Sequence, residues 1–273
     1  MPELPEVETI VRGLAPKIEG QKIRDLKIYY PKIVRENPVI FQKKVLQQKI
    51  KKIWRYGKYI FLGLDNNWTV VLHLRMTGQL IWVELPYPAD KHTHLELYFD
   101  TFKLIYRDVR KFGRFELIQT KQVLEYIKQK KLATDALEIT EVEFSKNLTK
   151  KKTYLKAALL DQTIIAGLGN IYVDETLMRE KLSPKFPVAK LSQSQIRSLL
   201  KTAKQVLKEA ILSKGTSIVD YVTSDGSTGN FQLKLRAYKQ AGQPCYHCGT
   251  LIVREKIAGR GTYFCPKCQA PCA

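Results

Sequence analysis

Two Cys-x-x-Cys pairs near the C-terminus, Cys245-Tyr-His-Cys248 and Cys265-Pro-Lys-Cys268, constrain this chain more than any other feature. Each pair puts two thiolates on one knuckle. Two knuckles flanking a β-hairpin close a tetrahedral four-sulfur site for one structural Zn2+. Redox chemistry is the alternative use of such pairs, and the hairpin between them favours the metal. Tight pairs also differ from a secreted disulfide framework and point to an intracellular metal site. His247, inside a knuckle, reads as a bystander, and Cys272 is left over as a free thiol in the tail. The hairpin carries Gly259-Arg260-Gly261, a guanidinium on backbone free to approach a phosphate. In isolation that is also an ordinary turn with a solvated arginine.

Charge names the partner. Forty-six Lys and Arg against 26 Asp and Glu leave +20 on 273 residues, which calls for a polyanion, with nucleic acid first. A merely lysine-rich surface is the competing reading, but several of these bases sit inside motifs. No apolar run approaches the ~18–20 residues of a membrane span. The first residues lack the basic start, apolar stretch and cleavage site of a targeting signal. At this length two domains are expected.

Pro5 to Ile18 reads as an amphipathic helix, with Val7, Ile10, Val11, Leu14 and Ile18 at helical spacing. Period-two alternation then predicts strands over 22–30, 50–64, 69–83, 94–99 and 103–118, with a short helix over 39–48. Asp65-Asn66-Asn67 and Asp100-Thr101 read as hairpin turns. This is a mainly β region of sandwich type. Helices are expected over 122–131, within 134–149, and over 153–162, 171–181 and 192–213. Residues 214–231, rich in Gly, Ser and Thr, form a loop of the length kept for function or disorder. The resulting fold class is α+β: residues 1–120 a sandwich flanked by helices, 121–150 a connector, 151–236 a helical domain, and 237–273 the zinc finger.

The N-terminal Met1-Pro2-Glu3-Leu4-Pro5-Glu6 carries the candidate chemistry. Trimming of Met1 would leave Pro2 with a free secondary amine, whose ordinary pKa of roughly 8 keeps part of it nucleophilic at pH 7. Attack on a sugar aldehyde carbon would give an iminium, and Glu3 could move protons there. A frayed acidic lead-in to the helix is the plain alternative. Lys58 follows a glycine in Arg55-Tyr-Gly-Lys58-Tyr59. His92 and His94 share one side of an extended segment, where a metal is conceivable but a third ligand is not evident. Gly167-Leu-Gly169-Asn170 puts backbone N–H groups at a helix start that suits an anion. Met76, Arg110 and Phe112 on loops could wedge into a duplex, although such apolar residues are generically core.

Together these segments closely resemble the bacterial formamidopyrimidine-DNA glycosylase family, also called 8-oxoguanine DNA glycosylases with lyase activity. The resemblance runs end to end, on Pro2-Glu3-Leu-Pro-Glu-Val-Glu-Thr, Arg55-Tyr-Gly-Lys58-Tyr, His92-Thr-His94, Arg110-Lys-Phe112-Gly, Gly167-Leu-Gly-Asn170 and Gly259-Arg260-Gly-Thr262. It implies a helix–two-turn–helix domain behind the sandwich, and Pro2 as the nucleophile at C1′ of the damaged nucleotide. It makes Glu3 the acid on the sugar ring oxygen, and Lys58 and Arg260 the proton donors of β- and δ-elimination. His92, Arg110 and Lys152 resemble DNA-binding positions, with His73, Lys156 and Asn170 as further phosphate contacts. Met76, Arg110 and Phe112 resemble the wedge, and 214–231 the loop over the flipped base. The implied partner is damaged double-stranded DNA, for a cytoplasmic bacterial monomer with no membrane and no small-molecule cofactor. Two rivals stand beside it. The endonuclease VIII branch shares the architecture but removes oxidised pyrimidines, and typically has glycine where Leu4 stands. A non-catalytic zinc-ribbon DNA-binding protein would bind DNA irrespective of damage and trap no covalent complex, and a retained Met1, which blocks the amine, would favour it.

Overall fold

The computed structural model describes residues 1–217 and 222–270, so Cys272 and part of the 214–231 loop lie outside the described residues. The chain forms two compact units, Met1–Lys130 with Ile211–Gln232, and Lys131–Ala210 with Leu233–Ala273.

In the first unit, helix α1 (Leu4–Ile18) buries Leu4, Val7, Ile10, Leu14 and Ile18, the stripe its spacing predicts. Pro5 suits the first turn, where its missing N–H costs nothing. Gly20, at φ +79°, ends it. After it come β1 (Asp25–Ile28), α2 (Pro38–Val45), β2 (Ile50–Tyr56), β3 (Tyr59–Leu64), β4 (Trp68–His73), β5 (Gly78–Glu84), β6 (Thr93–Tyr98), β7 (Phe102–Asp108), β8 (Arg114–Gln119) and α3 (Val123–Gln129). The strands make two four-stranded antiparallel sheets, β1-β6-β7-β5 and β2-β3-β4-β8. Between them lies a core of residues such as Leu72, Leu80, Leu97, Leu104, Tyr106 and Phe115, continuous with the buried stripe of α1. Helix α1 packs on β2.

Three expected long strands are each two. Residues 50–64 break at Gly57, φ +56°, so Lys58 stands in a hairpin turn rather than in a strand. Residues 69–83 break at Arg75, φ +57°, and 103–118 at Lys111, φ +58°. The last two breaks carry the chain from one sheet to the other. Alternation cannot reveal them, because left-handed backbone at a non-glycine is paid for by tertiary contacts.

The second unit contains α4 (Glu141–Thr149), α5 (Leu155–Leu160), α6 (Asn170–Glu180), most of α7 (Gln193–Leu212), and the hairpin β9 (Val253–Ile257) with β10 (Arg260–Phe264). The connection from α5 to α6 is closed by Gln162. Its Oε1 accepts from Gly167 N at 2.9 Å, and its Nε2 donates to Leu168 O at 2.9 Å and Leu160 O at 3.0 Å. Gly167, at φ +112°, takes a conformation closed to other residues. No helix among the described residues is long and apolar enough to cross a membrane.

Candidate active site and nucleic-acid interface

The N-terminus is not frayed. Pro2 is buried and Glu3 is 2% exposed. Glu3 N donates to Glu6 Oε2 at 2.8 Å, and Val7 N donates to Glu3 O at 3.1 Å. Glu6 is itself buried, and its other oxygen accepts from Thr216 N at 2.8 Å. One carboxylate thus holds the start of α1 to the chain that follows α7.

The turn carrying Lys58 is set by Arg55. Its Nε donates to Glu8 Oε2 at 2.8 Å and its Nη1 to Gly57 O at 3.1 Å. The β2–β3 turn is therefore tied to the helix that begins at Pro2 and Glu3. Lys58 is 7% exposed. Across the β3–β4 ladder, Tyr59 pairs with His73, and their rings meet edge to face at 4.5 Å. His73 Nδ1 accepts from Arg75 N at 3.0 Å. Burial, then the charges of Arg75, Lys58 and Lys130, lowers the His73 pKa to about 3. The ring is neutral at pH 7.

Both sheet-to-sheet crossings converge on Asp108, which is fully buried. Its Oδ1 accepts from the Thr77 hydroxyl and from Arg110 N (3.1 Å), and its Oδ2 from Gly113 N (2.8 Å) and Tyr106 OH (2.9 Å). Burial pushes this carboxyl up, but the four donors outweigh it and hold it below the ordinary range. Met76 is left half-buried on one crossing, and Arg110 and Phe112 exposed on the other. The Arg110 guanidinium lies 4.6 Å from the centre of the Phe112 ring. His92 is half-buried, whereas His94 is buried with Nε2 2.7 Å from Asp108 O. His94 is thereby a structural partner rather than a metal ligand.

In the second unit Lys152 is exposed just ahead of α5, while Lys156 is fully buried and ion-paired with Asp174. Asn170, at the start of α6, donates through Nδ2 to Gly261 O at 2.9 Å. One helical turn on, Asp174 Oδ2 accepts from Tyr263 N at 3.1 Å. Glu175 accepts the backbone N–H groups of Arg236, Ala237 and Tyr238 at 2.9–3.1 Å. Helix α6 so fixes the hairpin whose exposed Arg260 follows Gly259 at the turn.

The thiolates of Cys245, Cys248, Cys265 and Cys268 all lie within 4.8 Å of one another. A tetrahedral zinc with Zn–S bonds of about 2.3 Å needs sulfur–sulfur edges of about 3.8 Å, and Cys248 and Cys265 stand at 3.6 Å. The four sulfurs fit one structural Zn2+. They are the only such group among the described residues, and His247, whose ring lies tilted against Tyr246 at 3.8 Å, is outside it. Gln269 seats the second knuckle, with Oε1 accepting from Cys265 N at 3.0 Å and Nε2 donating to Leu182 O at 2.9 Å.

Sequence reading missed Glu6, Asp108, Asp174 and Gln162. Glu6 had a signal, since an acid three residues after the helix cap suits a capping box. Asp108 before a turn is a weaker cue. Asp174 and Gln162 look like solvated positions.

The class this describes is a two-unit protein with an antiparallel β-sandwich, a helical unit and a four-cysteine finger. Residues 1–115 match the formamidopyrimidine-DNA glycosylase N-terminal domain, 132–221 the H2TH domain of the same proteins, and 242–271 the zinc finger found in FPG and IleRS. The chain is 42% identical to the formamidopyrimidine-DNA glycosylase of Ligilactobacillus salivarius over 98% of its own length and 99% of that protein. It is 43% identical to that of Heliobacterium modesticaldum over 98% and 100%. Among solved structures it is similar to a Lactococcus lactis FPG variant in complex with Fapy-dG-containing DNA, with a TM-score of 0.94, 41% identity and coverage of 98% and 100%. MutM in complex with carbocyclic 8-oxo-G-containing DNA gives a TM-score of 0.93 at 41% identity and the same coverage. The chain belongs to the formamidopyrimidine-DNA glycosylase family, and it is a base-excision repair enzyme.

Proposed function

We propose that this chain removes oxidised purines, formamidopyrimidines and 8-oxoguanine, from double-stranded DNA and then nicks the strand at the resulting site. The buried, hydrogen-bonded Pro2-Glu3 start of α1 carries this reading. With Met1 removed, the Pro2 nitrogen attacks C1′ and the base departs with a proton. Glu3 protonates the ring oxygen as the C1′–O bond opens, leaving an iminium. That electron sink acidifies the 2′ hydrogens, so loss of a 2′ proton expels the 3′ phosphate, and a second elimination expels the 5′ phosphate. Lys58 and Arg260 supply protons in the first and second eliminations. Hydrolysis of the iminium frees Pro2. The zinc takes no part in these steps and holds the finger.

The wedge of Met76, Arg110 and Phe112 fills the stack left by the extruded nucleotide. His92, Lys152, His73 and Asn170 complete the DNA-facing set, His73 as a neutral hydrogen-bonding ring, whereas Lys156, expected as a phosphate contact, is buried against Asp174 and supports the fold instead. Residues 1–120 serve catalysis, 121–150 connect, 151–236 grip DNA, and 237–273 form the finger. The protein works as a monomer in the bacterial cytosol.

Borohydride trapping tests this on a duplex bearing one 8-oxoguanine opposite cytosine. The expected result is a covalent protein–DNA band that disappears in Pro2→Gly. A band with thymine glycol in place of 8-oxoguanine would move the protein to the endonuclease VIII branch. DNA binding without any band would leave a zinc-ribbon binder.

A further inference from the structure

The segments carrying Met76, His92, Arg110 and Phe112 all end on one residue. Thr77, next to Met76, gives its hydroxyl proton to Asp108 Oδ1 and accepts from Arg110 N at 3.2 Å. Arg110 N and Gly113 N, on either side of Phe112, donate to opposite oxygens of the same carboxylate. The Asp108 main chain takes the third segment, its N–H donating to His92 O at 3.0 Å. Tyr106 completes the knot. Its hydroxyl donates to Asp108 Oδ2 and lies 1.6 Å from where a Cβ on Gly113 would stand, so that position admits only glycine. Both crossings contain a non-glycine residue in left-handed backbone, Arg75 and Lys111, a conformation that persists only where surroundings impose it.

We propose that Asp108 is the positioning residue that locks the three DNA-facing segments into one preformed wedge. The proposal rests on the reading that Met76, Arg110 and Phe112 open the base stack. A wedge must be stiff before it enters DNA, because each loop ordered during insertion subtracts its entropy from the energy available for unstacking. Only a carboxylate serves at this point. Each oxygen takes two donors, and the four donors, from Thr77, Tyr106, Arg110 and Gly113, need four lone pairs. An asparagine would turn an N–H2 group towards two of those donors.

The test compares two substrates in D108N, T77V and F112A. One is a duplex with 8-oxoguanine opposite cytosine, read by single-turnover excision. The other is a single-stranded oligonucleotide with an abasic site, read by borohydride trapping, which has no stack to open. In D108N and T77V the duplex rate should fall about ten- to a hundredfold, the usual cost of misplacing a positioned group by about 1 Å. Single-strand trapping should be unchanged in both. The D108N/F112A double variant should be no slower on duplex than the slower single, because both damage one device. Thr77→Val is nearly isosteric and serves where D108N does not fold. Equal losses on both substrates would mean a general structural role and overturn the proposal. So would normal duplex rates in D108N or T77V beside a slow F112A. A normal F112A would instead remove the wedge reading itself, and the proposal with it.

Discussion

Glu6 shows what one buried carboxylate does here. Its two oxygens accept from Glu3 N and Thr216 N, so the reactive terminus and a residue more than two hundred positions away share an anchor. Glu6→Gln keeps one acceptor and presents an N–H2 to the other donor. A loss of about 1–3 kcal/mol is expected by urea unfolding, with slower borohydride trapping. His73 makes a second prediction. Its ring is neutral in the folded protein down to about pH 3, whereas an unfolded histidine takes up its proton near pH 6.5. Between those values the unfolded chain binds more protons, so stability falls as pH drops, by up to ~1.4 kcal/mol per pH unit. Unfolding at pH 7 and pH 5 should show this slope in the wild type and a shallower one in His73→Gln. Neither effect is legible locally. A glutamate or histidine in a string declares its chemistry, but only the neighbours brought by folding say which protonation state it keeps.

At the scale of elements, the hairpin β9–β10 depends on α6. Asn170 and Asp174, four residues apart on one helical face, hold Gly261 O and Tyr263 N. Asp174 also neutralises the buried Lys156. Removing one partner of a buried pair leaves an uncompensated charge, which typically costs about 3–5 kcal/mol. Asp174→Ala should show that loss in thermal unfolding, together with faster amide exchange at Tyr263. Retained exchange protection there would remove Asp174 from the hairpin's support. Elements themselves were largely legible. The apolar stripe of α1 and the alternation of the strands are periodic signals that burial preserves. The crossings at Arg75 and Lys111 were not, because a residue with a positive φ looks like any other lysine or arginine.

At the scale of the whole molecule, 273 residues in two units should not unfold as one transition. The finger adds a second reason, since zinc binding free energy in such small modules is folding free energy. Treatment with a strong chelator should release one zinc per chain and melt the 245–268 hairpin. The sandwich around Leu72, Leu104 and Tyr106 should keep its cooperative transition. Circular dichroism with zinc titration checks this, and loss of the sandwich transition on chelation would contradict it. The +20 charge acts at this scale too, drawing the chain to DNA at low salt without choosing a sequence.

By itself the sequence determined what is local or additive. Four cysteines at chelating spacing imply a tetrahedral site whatever surrounds them, net charge sums without geometry, and a periodic apolar stripe declares its helix. Tertiary structure alone decided what depends on partners far apart in the chain. Lys156 is a buried counter-ion because Asp174 lies opposite it. The Met76 and Phe112 crossings stand together because Asp108 accepts from both. The physical reason is the same in each case. A polar group's energy depends on whether folding brings it water or a partner, and partner identity is written in no single stretch of residues.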